Sequence, residues 1–193
     1  VERNPETKDF VLDYPKYKGL EEIDISKDVM KGEIPHFLQW DERWGYETYG
    51  SDFLAVTGCG PTCLSMVTCG LTGDTQWNPY EVAKMAEDNG YYVDGSGSSW
   101  DLMSSGAEKL GLTVSSVIFD AEHIRATLEA GQPIICVMGP GDFTDAGHFL
   151  VLTGVDKNGD IILQDPNSVE RTKQHWDVQK LMNQMKNLWA YSC

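Results

Sequence analysis

The sequence is 193 residues long but contains no apolar run long enough to span a lipid bilayer. It also opens without the basic segment and apolar core of a signal peptide. Basic residues are scarce: 15 Lys and Arg stand against 30 Asp and Glu, which leaves a formal net charge of -15. Such a charge repels nucleic-acid phosphates and anionic membrane surfaces. The sequence therefore argues against a membrane-spanning protein and against nucleic-acid binding.

A disulfide framework is missing as well. The cysteines are an odd number at irregular spacings, so at least one thiol is expected to stay outside any intramolecular pair; they are Cys59, Cys63, Cys69, Cys136 and Cys193. Hydrophobic residues make up 41% of the chain and charged residues 23%, which is typical of a globular protein. A chain of this length can bury a self-sufficient core, and we expect a folded domain without cross-links.

Composition divides the chain into two segments. Residues 1–32 are polar, of mixed charge and without a sustained hydrophobic period, which predicts an arm or linker. Residues 33–193 are predicted to form the domain. Because the sequence starts at Val1 and not at methionine, we expect a processed protein that is located outside the cell or at its surface.

Helix signals dominate the first half of this domain and strand signals the second half, which predicts an α+β fold. Helices are predicted over 60–71, from Asn78 to Gly90, from Ser99 to Gly111, from Asp120 to Gly131, and over 177–184. Strands are predicted over 112–118, 133–138, 148–155, 160–165 and 187–192. The Asn158-Gly159 turn predicts that strands 148–155 and 160–165 form a hairpin.

One thiol has the surroundings of a nucleophile. Cys59 lies in the segment TGCGPTCLSM, where Pro61 is favoured in the first turn of a helix. The sulfur is therefore predicted at a helix N-terminus, where unpaired amides and the helix dipole stabilise a thiolate. The neighbouring glycines are expected to keep it accessible. These features favour a reactive Cys59 over a buried structural one.

A cysteine nucleophile needs a base, and the base needs an orienting partner. His148 is the leading candidate for the base, since it opens a hairpin strand after the glycine-rich loop GPGDFTDAG. If DKNG connects the hairpin, Val155 faces Asp160 and Leu150 faces Asp165, so Asp165 becomes a diagonal neighbour of His148. One β-bulge would shift this register by one residue, so that Asp165 and His148 no longer share a face, and Asn167 could then be the orienting residue.

The other cysteines and histidines have weaker claims. Cys63, Cys69 and Cys136 lie inside apolar runs and are better interpreted as packing residues. Cys59 and Cys63 could instead chelate zinc with a histidine, although no second ligand pair at structural-zinc spacing is present. The remaining histidines, each of which lacks the glycine-loop context of His148, are interpreted as surface or hydrogen-bonding residues; they are His36, His123 and His175.

A family resemblance rests on four segments that occur in order: HFLQWDERWG, TGCGPTCLSM, GPGDFTDAGHFLVLTGV and ILQDPNS. Together they resemble the C39-like branch of the papain-like cysteine peptidases, from about Glu33 to the C-terminus. The resemblance implies a helical lobe with a central cysteine-bearing helix, packed on a twisted antiparallel β-sheet. It implies Cys59 as nucleophile, His148 as general base and acid, Asp165 as the orienting residue and Gln39 as an oxyanion-hole side chain. No cofactor or metal is implied.

The predicted function is that of a bacterial cysteine hydrolase, a peptidase that acts on peptide or protein substrates through a thioester. The best-understood relatives are domains fused to export transporters that cut leader peptides, and this chain has no transporter segment, so leader processing is not carried over. Two alternatives stay open: a non-catalytic module that binds peptides or cell-wall fragments, and a transglutaminase-like acyltransferase. Asp142 and Asp145 hint at a cleft that tolerates cationic substrates.

Overall fold

The computed structural model describes residues 4–193. Its α-helices, in chain order, are α1 (Lys8–Asp13), α2 (Leu54–Thr57), α3 (Cys59–Thr72), α4 (Pro79–Asp88), α5 (Ser105–Lys109), α6 (Ala121–Glu129), α7 (Val169–Thr172) and α8 (Val178–Met182). Short 3-10 turns cover Pro5–Thr7, Tyr14–Lys16 and Trp100–Met103. Within the described residues, no helix is both long and apolar enough to cross a membrane.

Two small hairpins precede the main sheet. They are formed by β1 (Thr48–Tyr49) with β2 (Asp52–Phe53), and by β3 (Tyr92–Val93) with β4 (Gly97–Ser98). The main sheet contains β5 (Thr113–Ser115), β6 (Ile134–Met138), β7 (His148–Val155), β8 (Ile161–Gln164) and β9 (Met185–Ser192). Its spatial order is β5-β9-β6-β7-β8, and every neighbouring pair is antiparallel.

The sheet is covered on both faces because alternate residues of a strand point in opposite directions. One face of β6 and β7 packs against α3 and the helical lobe through Ile135, Val137, Phe149 and Val151. The other face packs against α6 and α8 through Ile134, Cys136, Leu150 and Leu152. The predicted α+β fold, in which a central cysteine-bearing helix packs on a twisted antiparallel sheet, is confirmed.

Local capping signals are reproduced closely. The Asn78 side chain accepts hydrogen bonds from the amides of Tyr80 and Glu81 and begins α4, and Asp120 similarly begins α6.

One predicted helix is wrong in its continuity. The segment from Ser99 to Gly111 is a 3-10 turn followed by α5, and it breaks at Ser104, whose ψ is -87°. At the break, the Met103 carbonyl accepts a hydrogen bond from the Tyr191 hydroxyl, so tertiary packing supports the interruption.

The register of the β7–β8 hairpin is predicted correctly near the site and wrongly near the turn. Val155 pairs with Ile161, one position later than predicted. A bulge at Thr153 then shifts the register back, so that Val151 pairs with Gln164. Leu150 therefore lies level with Asp165, as the sequence predicts.

The N-terminal segment packs against the domain along the described part of its length. The Phe10 ring stacks on Tyr46 with centroids 4.2 Å apart, and the Tyr46 hydroxyl donates to the Phe10 carbonyl. Ile25 is only 1% exposed and belongs to the same core cluster as α3. The boundary near Glu33 stays a prediction, because these contacts show where the arm lies and not whether the domain folds without it.

Candidate active site

Cys59 is the first residue of α3 and follows α2 directly through Gly58. A Cβ on Gly58 would lie 2.4 Å from the Leu54 carbonyl oxygen, and a Cβ on Gly60 would lie 2.4 Å from Ser98 Oγ. The two glycines are therefore needed for close packing of α2 and β4 around the cysteine. The sulfur is half-buried at the positive end of the helix, where a thiolate is stabilised.

His148 connects the cysteine to a buried carboxylate. Its Nε2 lies 2.8 Å from Asp165 Oδ1, and both side chains are almost fully buried. Nδ1 is then the ring nitrogen left to interact with the Cys59 thiol. The structure thus brings three of the four sequence-predicted side chains, Cys59, His148 and Asp165, into one chain of contacts.

The charges in this chain of contacts favour a thiolate–imidazolium pair. Burial alone would lower the pKa of His148, but Asp165 and Cys59 raise it to about 10. Burial raises the pKa of the Cys59 thiol, yet the interaction with His148 and hydrogen bonds from the Phe149 and Gly60 amides bring it below its ordinary value. Both directions favour the thiolate, which is the reactive form of the sulfur.

Asp165 is held by further contacts of its side chain and its main chain. Its Oδ2 accepts a hydrogen bond from Arg171 Nε at 2.5 Å, and its Oδ1 accepts one from the Asn167 amide at 2.8 Å. Its own amide donates to Thr172 Oγ1, and its carbonyl lies 2.7 Å from His36 Nε2. Burial raises the pKa of this carboxyl, but His148 and Arg171 together hold it below its usual range.

Asn167, the alternative orienting residue, supports Asp165 through its main chain. Its side-chain oxygen accepts a hydrogen bond from Asn4 Nδ2, and the contact with His148 belongs to Asp165. The register is shifted by one residue at the turn, and the bulge at Thr153 shifts it back. Asp165 therefore keeps the position predicted for a regular hairpin, and Asn167 does not replace it as the orienting residue.

Gln39 is buried beside the entrance to α3. Its Nε2 donates to the Ala55 carbonyl at 2.8 Å and approaches the Val56 carbonyl at 3.3 Å. Ala55 lies four residues before Cys59, so its carbonyl is the one that a continuous helix would pair with the Cys59 amide. Gln39 Oε1 is buried and has no hydrogen-bond partner among the described residues. The side chain therefore binds the backbone of α2 shortly before Cys59, with its amide nitrogen held by the Ala55 and Val56 carbonyls.

An open groove of about 540 Å³ borders Cys59. Its walls come from residues 51–57, from the β3–β4 hairpin, and from Ala146 and Gly147 at the end of the glycine-rich loop. The expectation of a cleft that tolerates cationic substrates gains nothing from Asp142, which pairs with Lys180 at 3.1 Å and does not line the groove. Asp145 is not a lining residue either, and Asp52 is the one acidic residue on the described walls.

The remaining cysteines and histidines lie outside this arrangement, apart from His36 behind Asp165. Cys63 is fully buried one turn after Cys59, and burial raises its pKa well above the ordinary value. Cys69 and Cys136 are also buried, whereas Cys193 is exposed.

Among residues 4–193, no group of three or more His, Cys, Asp or Glu side chains is arranged to hold a metal ion. His123 and His175 form surface pairs with aspartates.

Sequence reasoning missed the supporting residues of the carboxylate. Arg171 reaches Asp165 from α7. His36 reaches it from the segment before Gln39, and this contact depends on tertiary structure because the two residues are distant in the sequence. Arg171 is also placed over the Phe143 ring of the glycine-rich loop, 5.9 Å from its centroid. No local motif marks Arg171, although its position six residues after Asp165 is a signal that a search for charge partners could have used.

The packing of α3 on the antiparallel sheet and the geometry around Cys59 define a papain-like cysteine-peptidase fold. Comparison with protein-family models narrows this class, because the model described as the "Peptidase_C39 like family" matches residues 31–192. The chain belongs to the peptidase C39-like family, as the sequence resemblance predicts.

A solved structure supports the fold at low sequence identity. The peptidase domain of Streptococcus ComA, a bifunctional ABC transporter involved in a quorum-sensing pathway, is 17% identical with a TM-score of 0.54, and the match covers 71% of this chain and 92% of that one. A putative C39-like peptidase from Bacillus anthracis is 18% identical with a TM-score of 0.46, over 86% and 97% of the two chains. No functionally curated protein matches the sequence significantly.

Proposed function

We propose that this protein is a cysteine peptidase that cleaves peptide or amide bonds through a thioester. Cys59 is the nucleophile, His148 the general base and acid, and Asp165 the residue that orients the imidazole. The observation that carries the proposal is the link from Asp165 through His148 to a cysteine that borders an open groove. Family membership supports the same reaction class.

The reaction divides into two acyl transfers. In the first, the Cys59 thiolate attacks the substrate carbonyl carbon, and His148 gives its proton to the leaving amine as the C–N bond breaks. In the second, His148 removes a proton from water, the resulting hydroxide attacks the thioester carbon, and the C–S bond breaks. The acid leaves, and the thiolate–imidazolium pair is restored.

Each attack creates a negatively charged oxygen that needs hydrogen-bond donors. The Cys59 amide and Gln39 Nε2 are the proposed donors, since Gln39 already lies beside the helix entrance. In this role the Gln39 amide turns from the Ala55 and Val56 carbonyls toward the substrate. Loss of one such donor typically costs about 3 kcal/mol of transition-state stabilisation.

The test is incubation of the wild-type protein and of Cys59→Ala with a diverse peptide library, followed by mass spectrometry. Cuts made only by the wild type would support a peptidase and define its sequence preference. Peptides retained equally by both proteins, without cuts, would favour a binding module. Products that require an added primary amine would favour an acyltransferase.

A further inference from the structure

The N-terminal arm reaches the turn that carries the catalytic carboxylate. Glu6 Oε1 accepts a hydrogen bond from the Ser168 hydroxyl at 2.5 Å, and Oε2 accepts one from the Val169 amide at 2.7 Å. The Glu170 amide also approaches Oε2, at 3.3 Å. One side chain therefore binds three consecutive residues that are more than 160 positions away in the sequence.

A second arm residue binds the same turn. Asn4 Nδ2 donates to both the carbonyl and the side-chain oxygen of Asn167, each at 3.0 Å. The amide of Asn167 donates in turn to Asp165 Oδ1, the oxygen that contacts His148. Between them, Asn4 and Glu6 contact the turn between Asp165 and its partner Arg171.

The arm is itself fixed, so these contacts can restrain the turn. Phe10 stacks on Tyr46 four residues after Glu6, and Ile25 is buried in the core. None of the residues that line the groove beside Cys59 belongs to the described part of the arm. The arm therefore lies behind the site and leaves the groove open, which is the opposite of an inhibitory segment.

We propose that Glu6, assisted by Asn4, is a positioning residue that fixes the 165–171 turn and so aims the Asp165 carboxylate at His148. This inference rests on the proposed function, because it gives the arm a role in the same thiolate–imidazolium pair. The turn is only seven residues long and carries the Asn167 amide and the Arg171 guanidinium, which bind the carboxylate in addition to His148. A small rotation of the turn would separate Asp165 from His148, weaken the imidazolium and reduce the thiolate fraction of Cys59.

Several titratable or charged groups surround these carboxylates and must be kept in the experiment. His148, Arg171 and His36 face Asp165. Lys173 and His36 lie within electrostatic range of Glu6, and Lys173 also pairs with Glu170. None of these groups is altered in Glu6→Gln or Asn4→Ala, so a change in those two variants can be assigned to the arm contact.

The test measures the second-order rate of Cys59 alkylation by iodoacetamide from pH 5 to pH 10, in the 193-residue chain carrying Cys193→Ser to remove the exposed thiol. Glu6→Gln is expected to slow labelling at pH 7 about fivefold, the factor that corresponds to the loss of one hydrogen bond of ordinary strength, and to move the rise of the labelling rate toward higher pH. Asn4→Ala is expected to give a smaller shift in the same direction. Glu21→Gln, at an exposed arm carboxylate with no hydrogen bond or ion pair in the described chain, is the matched control and should match the wild type.

A Glu6→Gln profile that coincides with the wild-type profile would overturn the inference, and faster labelling would overturn it in favour of an inhibitory arm. His148→Ala in the same background separates this inference from the proposed function. If His148→Ala shifts the profile and Glu6→Gln does not, only the positioning role of the arm fails. If neither variant shifts it, base activation of Cys59 fails as well.

Discussion

His148 Nε2 and Asp165 Oδ1 lie 2.8 Å apart, although 17 residues separate them in the sequence. Asp165 is fully buried and also binds Arg171, so its negative charge stabilises two cations at once. Replacement by Asn keeps the shape of the side chain and removes that charge.

Asp165→Asn is expected to lower kcat by about two to four orders of magnitude, because the imidazole loses the partner that orients and charges it. The measurement is steady-state hydrolysis of a peptide found in the library experiment. Asp160→Asn, at the start of the same hairpin strand, is the control and should keep wild-type kcat. A kcat for Asp165→Asn equal to that of the wild type would argue against the orienting role.

The pH dependence of Cys59 labelling tests the ion pair directly. Since the pKa of Cys59 is lowered, the wild-type labelling rate should rise at a lower pH than for an ordinary thiol. In His148→Ala, the labelling rate should rise only in the pH range of an ordinary thiol. Labelling at pH 7 should slow about tenfold or more, because a free cysteine is only a few per cent thiolate at that pH.

The raised pKa of His148 predicts the alkaline limb of turnover. The imidazolium is present below about pH 10 and is lost as the pH rises through that value, so kcat should fall there. In the labelling experiment, a rate profile of Cys59 whose acidic limb is the same in the wild type and in His148→Ala would contradict base activation of the thiol.

Gln39→Ala tests the proposed oxyanion donor. We expect kcat to fall about 10²- to 10³-fold with little change in KM, since the lost hydrogen bond forms only with the developing oxyanion. Gln39 also binds the Ala55 carbonyl, so thermal unfolding of the variant should be measured alongside the kinetics. Gln179→Ala, at an exposed position of α8, is the control. Unchanged kcat in folded Gln39→Ala would leave the Cys59 amide as the proposed donor.

The contact between Gly60 and Ser98 predicts a stability effect beside the nucleophile. Alanine normally favours a helix over glycine, yet Gly60→Ala is expected to lower the free energy of unfolding by about 1–3 kcal/mol, because its Cβ would overlap Ser98 Oγ. Chemical denaturation measures this, and Ser98→Gly in the same protein should recover part of the loss. Gly154→Ala, where the new Cβ would meet Ile162 at an ordinary 3.7 Å, is the control. A more stable Gly60→Ala would contradict the packing argument.

The secondary structure was largely predictable because its signals are local. Pro61 in the first turn of α3, Asn78 as a side-chain cap and the Asn158-Gly159 turn each act on residues within one helical or hairpin turn. The helix predicted after Ser99 failed at Ser104, where a tyrosine from β9 binds the preceding carbonyl. That contact joins residues 88 positions apart and has no local signature.

The sequence by itself determined that a thiol lies at the start of a buried helix and a histidine at the start of a hairpin strand, since backbone sterics and short-range capping fix both positions. Only the tertiary structure decided that Asp165, rather than Asn167, meets His148, because a bulge at Thr153 offsets the turn. It also decided that Glu6 holds the turn that follows Asp165. Such contacts depend on the packing of segments that are distant in the chain, and no local preference encodes them.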